Sequence, residues 1–64
     1  MKNRALLLCL KYKIEYVEEY AQKIGISIDD ARAIFEERLV MNEEVIQKNC
    51  DLFNVSRAYF LCLI

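Results

Sequence analysis

Three cysteines, Cys9, Cys50 and Cys62, are the most nucleophilic side chains in this chain, and there is no histidine beside which any of them could be activated. A catalytic thiol needs a neighbouring base, and a zinc site needs cysteine or histidine ligands at short, regular spacing. Neither pattern is present, and three isolated cysteines cannot build a complete disulfide framework. Each lies in an apolar run, which suits a small buried hydrophobe in a reducing compartment. The carboxylates come as neighbours in sequence: Glu18-Glu19, Asp29-Asp30, Glu36-Glu37 and Glu43-Glu44. On a helix such neighbours diverge onto different faces, so they do not converge for acid–base work. With a single glycine there is no phosphate-cradling loop. We therefore expect no enzyme, no cofactor and no metal. Tyr12, Tyr16 and Tyr20 recur every four residues and, with Tyr59, could stack nucleic-acid bases. Packing is the commoner use of such a stripe, with the hydroxyls reaching solvent at the rim.

The elements that must position these residues are short helices. The chain has 64 residues, 56% of them hydrophobic, with no proline. That length gives one small domain near the lower limit for folding alone, and that composition favours a compact all-α bundle. Met1-Lys2-Asn3-Arg4 followed by Ala5 to Leu10 faintly imitates a signal peptide. The apolar run stops at Lys11 and Lys13, without a small-residue cleavage site, and is too short to cross a bilayer. A cytoplasmic protein with no membrane association is the expectation.

Turn signals divide the chain. Gly25 can take the left-handed position after a helix and Ser27 can cap the next one. Asn42 can cap a helix that starts Glu43-Glu44, where acids favour the helix dipole. Asn54 can end that helix in left-handed geometry, and Ser56 can cap a last one. Between Arg4 and Ile24, Leu6, Leu10, Ile14, Val17, Ala21 and Ile24 form one apolar stripe at helical spacing. Either this region is one rod or it breaks near Glu15-Tyr16 with weak caps. We expect the break, because one long rod would leave few elements to wrap a core. A third helix is expected over Ile28 to Arg38, with Ala31, Ile34, Phe35 and Leu39 inward. A fourth should span Glu43 to Phe53, burying Val45, Ile46, Cys50 and Phe53. The last runs from Arg57 onward and is nearly all apolar.

Tyr20-Ala21-Gln22-Lys23-Ile24-Gly25-Ile26-Ser27 resembles the helix-turn of the lambda-repressor-like (Cro and phage-repressor) helix-turn-helix family. Asn42 to Leu61 is similar to that family's fourth and fifth helices, and Gly25 and Asn54 lie about as far apart as the family's equivalent turn residues. The resemblance covers almost the whole of residues 1–64. It implies a compact bundle of four to five short helices containing a helix-turn-helix, and a small sequence-specific DNA-binding transcriptional regulator or repressor. It also implies that the third helix enters the major groove of double-stranded DNA. Carried over position by position, Ile28, Asp29, Asp30, Arg32 and Ala33 would face the bases, and Lys23 and Ser27 would contact phosphate. Arg32 suits bidentate reading of guanine, and an aspartate can accept from the cytosine amino group. The chain departs from the pattern where Glu15 and Tyr16 replace an apolar residue and a hydroxyl cap. It departs again where Val17 replaces a phosphate-contacting glutamine, and where Leu39-Val40-Met41 replaces a connection rich in glycine and proline.

Charge runs against the DNA reading. Lys2, Arg4, Lys11 and Lys13 give residues 1–13 a charge of +4, whereas residues 14–30 carry −4 and residues 31–44 carry −2. Phosphate binding draws its affinity from positive charge on the contacting face, yet Asp29 and Asp30 sit where that charge is needed. The alternative is a degenerate helix-turn-helix that binds a protein, as an antirepressor or host-factor inhibitor would. Such a partner would meet the acidic third helix or the apolar C-terminus. A terminal helix apolar on every side cannot bury all its faces in so small a domain. Tyr59, Phe60, Leu61, Leu63 and Ile64 are accordingly expected to form a two-fold homodimer interface.

Overall fold

The computed structural model describes residues 1–64, which form five helices and no strands: α1 (Ala5–Lys11), α2 (Val17–Ile24), α3 (Ile28–Phe35), α4 (Glu43–Phe53) and α5 (Arg57–Phe60). The starts follow the sequence signals. Ser27 Oγ accepts from the Asp30 amide at 3.0 Å, Asn42 Oδ1 from the Val45 amide at 2.9 Å, and Ser56 Oγ from the Tyr59 amide at 3.1 Å. Each cap satisfies one of the amide donors that a helix start leaves without a partner. α1 has no such signal and is capped from outside. Asn3 Oδ1 accepts from the Ala5 amide at 2.9 Å, while its Nδ2 donates to the Ile34 carbonyl at 3.0 Å.

The expected break near Glu15-Tyr16 is present: residues 12–16 are non-helical, and α2 starts after Tyr16, which offers no side-chain cap. α1 ends at Lys11, Lys13 takes φ 61°, and the Ile14 amide donates back to the Cys9 carbonyl at 2.8 Å. All five helices close in this way. Gly25, Glu37, Asn54 and Cys62 also adopt positive φ, each followed by an amide reaching back to a carbonyl five residues earlier. This satisfies the last carbonyls of each helix. Glycine or asparagine occupies only two of the five positions, so Lys13, Glu37 and Cys62 hold a conformation costing roughly 1–2 kcal/mol each.

These ends correct two expected spans. The third helix stops at Phe35 rather than Arg38, because Glu37 turns left-handed. The last helix stops at Phe60 rather than running to Ile64, because Cys62 does the same.

The core gathers Leu8 and Cys9 of α1, Tyr20 and Ile24 of α2, Ile34 of α3, Ile46, Cys50 and Phe53 of α4, and Phe60 of α5. The apolar stripe read across α1 is corrected: Leu6 and Leu10 are 48% and 69% exposed, and Ala5, Leu8 and Cys9 face inward. Val45 and Leu39, expected inside, are only partly buried. The tyrosines divide too. Tyr12 and Tyr16 are exposed, so no continuous tyrosine stripe forms. Tyr20 is fully buried and its hydroxyl donates to Asn49 Oδ1, rather than reaching solvent at the rim. Asn49 Nδ2 in turn donates to the Val45 carbonyl at 2.9 Å, so the one buried polar side chain is paired at both ends. Tyr20 packs against Phe35 in a tilted pair, 4.9 Å between ring centroids, which ties α2 to α3 as the hydrogen bond ties α2 to α4.

Candidate nucleic-acid interface

α2 and α3 are joined by Gly25, Ile26 and Ser27, with Gly25 at φ 82°. A three-residue turn with a left-handed glycine is the connection a helix-turn-helix uses. A side chain at Gly25 would find room, its nearest neighbour being Lys48 Nζ at 3.7 Å, so backbone conformation is what calls for glycine here. Ala21 of α2 and Ala31 of α3 are both buried in the core beside this turn.

This packing decides which candidate residues reach water. Lys23, Ser27, Ile28, Asp29, Asp30 and Arg32 are exposed, Ile28 at 39%. Ala33 is not available to a base: it is 8% exposed, and the Arg38 and Leu39 amides both fold back onto its carbonyl. Arg32 makes no ion pair within the chain, nor does Lys23. Ser27 Oγ accepts from the Asp30 amide, which leaves its hydroxyl proton free to donate outward.

The surrounding charge is negative. Glu18 and Glu19 open α2, Asp29 and Asp30 open α3, and all four are exposed without an ion-pair partner. The acids that are neutralised lie elsewhere. Glu36 pairs with Arg38, Glu44 with Lys48 at 3.3 Å, and Glu43 with Arg57 at 2.7 Å. The hydrogen bond from Arg57, reinforced by its charge, holds the Glu43 carboxyl below the usual carboxylate range, and Glu43 raises Arg57 in return. Beside Gly25 lies an open groove between the end of α2 and α4, lined by Lys23, Lys48 and Asp51 among others. Lys48 carries no signal in the sequence, because only the fold brings it to the turn.

Cys9 and Cys50 are buried, whereas Cys62, expected inside with them, is only partly covered because it lies in the turn that ends α5. Burial, with Glu19 nearby, pushes the Cys9 thiol up to about 11, so it stays protonated near neutrality and is a poor nucleophile. Burial also raises Cys50, with Asp51 adding to the shift.

The expected C-terminal interface is taken apart by the fold. Phe60 is fully buried within the monomer, and Leu61 is partly buried. Tyr59 lies under the Arg4 guanidinium, 4.2 Å from ring centroid to Cζ. Only Leu63 and Ile64 stay open, at 67% and 76% exposure. A dimer built from Tyr59, Phe60, Leu61, Leu63 and Ile64 together would have to unpack the core. Comparison with protein-family models, curated proteins and solved structures finds no match.

Proposed function

We propose that this chain is a small helix-turn-helix regulator that reads double-stranded DNA with the first two turns of α3. The observation that carries the reading is the unpaired, exposed Arg32, presented by a helix whose entry is fixed by Gly25 and the Ser27 cap. In the groove, Arg32 would donate two hydrogen bonds to guanine O6 and N7, and Asp29 or Asp30 would accept from a cytosine amino group. Lys23 and the Ser27 hydroxyl would fix the register on phosphate, which carries affinity but no sequence information. The resemblance of Tyr20 to Ser27 and of Asn42 to Leu61 to the lambda-repressor-like family supports the same use. The test is a mobility-shift series at low salt against duplexes from the region upstream of the chain's own coding sequence. Retardation at micromolar protein or below is expected, and its absence across the series would refute the reading.

A second reading is favoured by one observation, the four unpaired acids at the starts of α2 and α3. They repel phosphate and suit a basic protein surface instead. Asp29→Asn together with Asp30→Asn separates the two. If DNA is the ligand, removing the repulsion strengthens non-specific binding at low salt; if a basic protein is, the same change weakens that complex.

A further inference from the structure

α1 is built from Ala5-Leu6-Leu7-Leu8-Cys9-Leu10-Lys11, six of whose seven residues are apolar. Ala5, Leu8 and Cys9 fill the core, so the opposite side of the helix consists of Leu6, Leu7, Leu10 and Lys11. The three leucines are 48%, 54% and 69% exposed. A helix apolar on every side belongs between two surfaces, and here only one is supplied by the chain itself. The C-terminal residues lie beside the start of this helix. The Arg4 amide donates to the Phe60 carbonyl at 2.9 Å, and its guanidinium to the Tyr59 and Ile64 carbonyls. Leu63 and Ile64 are thereby held at the N-terminal end of the same helix.

Charge identifies the occupant. Lys2, Lys11 and Lys13 bracket these leucines in sequence, are exposed, and make no ion pair within the chain. Residues 1–13 carry +4 in a molecule whose net charge is −1. A second copy set face to face would bring these lysines together, and like charges at an interface disfavour the contact. An anionic membrane would suit the lysines, but a helix of seven residues is short for an interfacial anchor. We infer that the outer face of α1, with Leu63 and Ile64, docks an amphipathic acidic helix of another protein. The leucines meet its apolar stripe, and Lys2, Lys11 and Lys13 meet its flanking carboxylates. This site is separate from the α3 face and does not depend on whether α3 binds DNA.

The probe is a synthetic helix of about 15 residues, with leucines at three- and four-residue steps and glutamates elsewhere, set beside a twin with lysine in place of glutamate. Amide shifts of the full chain are followed by two-dimensional NMR as each is added. The acidic peptide is expected to bind, with shifts gathered at Leu6, Leu7, Leu10 and Leu63, and the lysine twin to bind at least about tenfold more weakly. Leu10→Glu should reduce the acidic peptide's affinity at least about tenfold while the remaining spectrum stays that of the folded chain. Lys11→Glu with Lys13→Glu should transfer the preference to the lysine twin. Equal binding of the two peptides, or shifts that leave α1 untouched, would overturn the proposal. So would shifts at α1 that depend on protein concentration alone, which would assign the face to a second copy. Tighter binding to phosphatidylserine vesicles than to the acidic peptide would assign it to a membrane.

Discussion

α1 and α3 lie against the same core and differ by one residue in length, yet they present opposite surfaces to water. α3 turns Ala31 and Ile34 inward and Asp29, Asp30 and Arg32 outward. α1 turns leucine to both sides. In α3, polarity follows the helical period, so the pattern of residue types reports which side is buried. In α1, the period is hidden because the inner and outer residues are chemically alike. Burial there is decided by how the helix is tied down, through Asn3 to Ile34 and through Arg4 to the C-terminal residues.

The largest expected effect sharpens that contrast directly. Ile34→Ala removes a fully buried side chain and should cost about 2–5 kcal/mol, enough to unfold much of so small a domain. Leu10→Ala, on the exposed side of α1, should change stability by no more than about 0.5 kcal/mol. Urea melts of the two variants decide it. Comparable losses would mean that the outer side of α1 is packed, and the distinction between the two helices would collapse.

A smaller effect reports on the inner side of α1. Folding raises the Cys9 thiol from 9.0 to about 11, chiefly by burial and then by Glu19. Below about pH 9 both folded and unfolded chains keep this proton, and stability is unaffected. Between about 9 and 11 the unfolded chain gives it up while the folded chain holds it. Stability should therefore fall as pH rises through that window, by up to about 1.4 kcal/mol per pH unit for this group. Melting temperatures across the range test this. Cys9→Ala should flatten the decline, although the buried Tyr20 hydroxyl, also raised, adds its own loss at higher pH.

The smallest effect concerns helix ends. Glu37→Gly, at φ 61°, should raise stability by about 0.5–1 kcal/mol, since glycine occupies the left-handed region without strain. The same change at exposed Asp29, inside the first turn of α3, should be destabilising. If both substitutions act in one direction, backbone strain is not what distinguishes the two sites.

The starts of α3, α4 and α5 were legible because serine and asparagine announce a cap chemically, and the end of α2 because glycine announces the left-handed residue. Lys13, Glu37 and Cys62 carry no such signature. The helix ends they impose were therefore missed, and α3 and α5 were expected to run too far. Asn49 was invisible for a related reason. Its burial depends on the Tyr20 hydroxyl 29 positions away, a pairing that local periodicity does not contain. Of the candidate DNA-facing residues, six remain exposed and Ala33 does not, because the segment after α3 returns across it. The apolar C-terminus divides: Phe60 serves the internal core, while Leu63 and Ile64 stay open, as do the outer leucines of α1.

Arg32 is the side chain on which DNA reading by α3 depends most in the proposed function. The direct measurement is fluorescence anisotropy of an upstream duplex, titrated with the wild-type chain and with Arg32→Ala at several salt concentrations. A lost bidentate contact should weaken specific binding by about 1–3 kcal/mol and relax the preference at one base pair, with the fold unchanged. Equal affinity and equal sequence preference for the two proteins, or no binding by either at low salt, would contradict it.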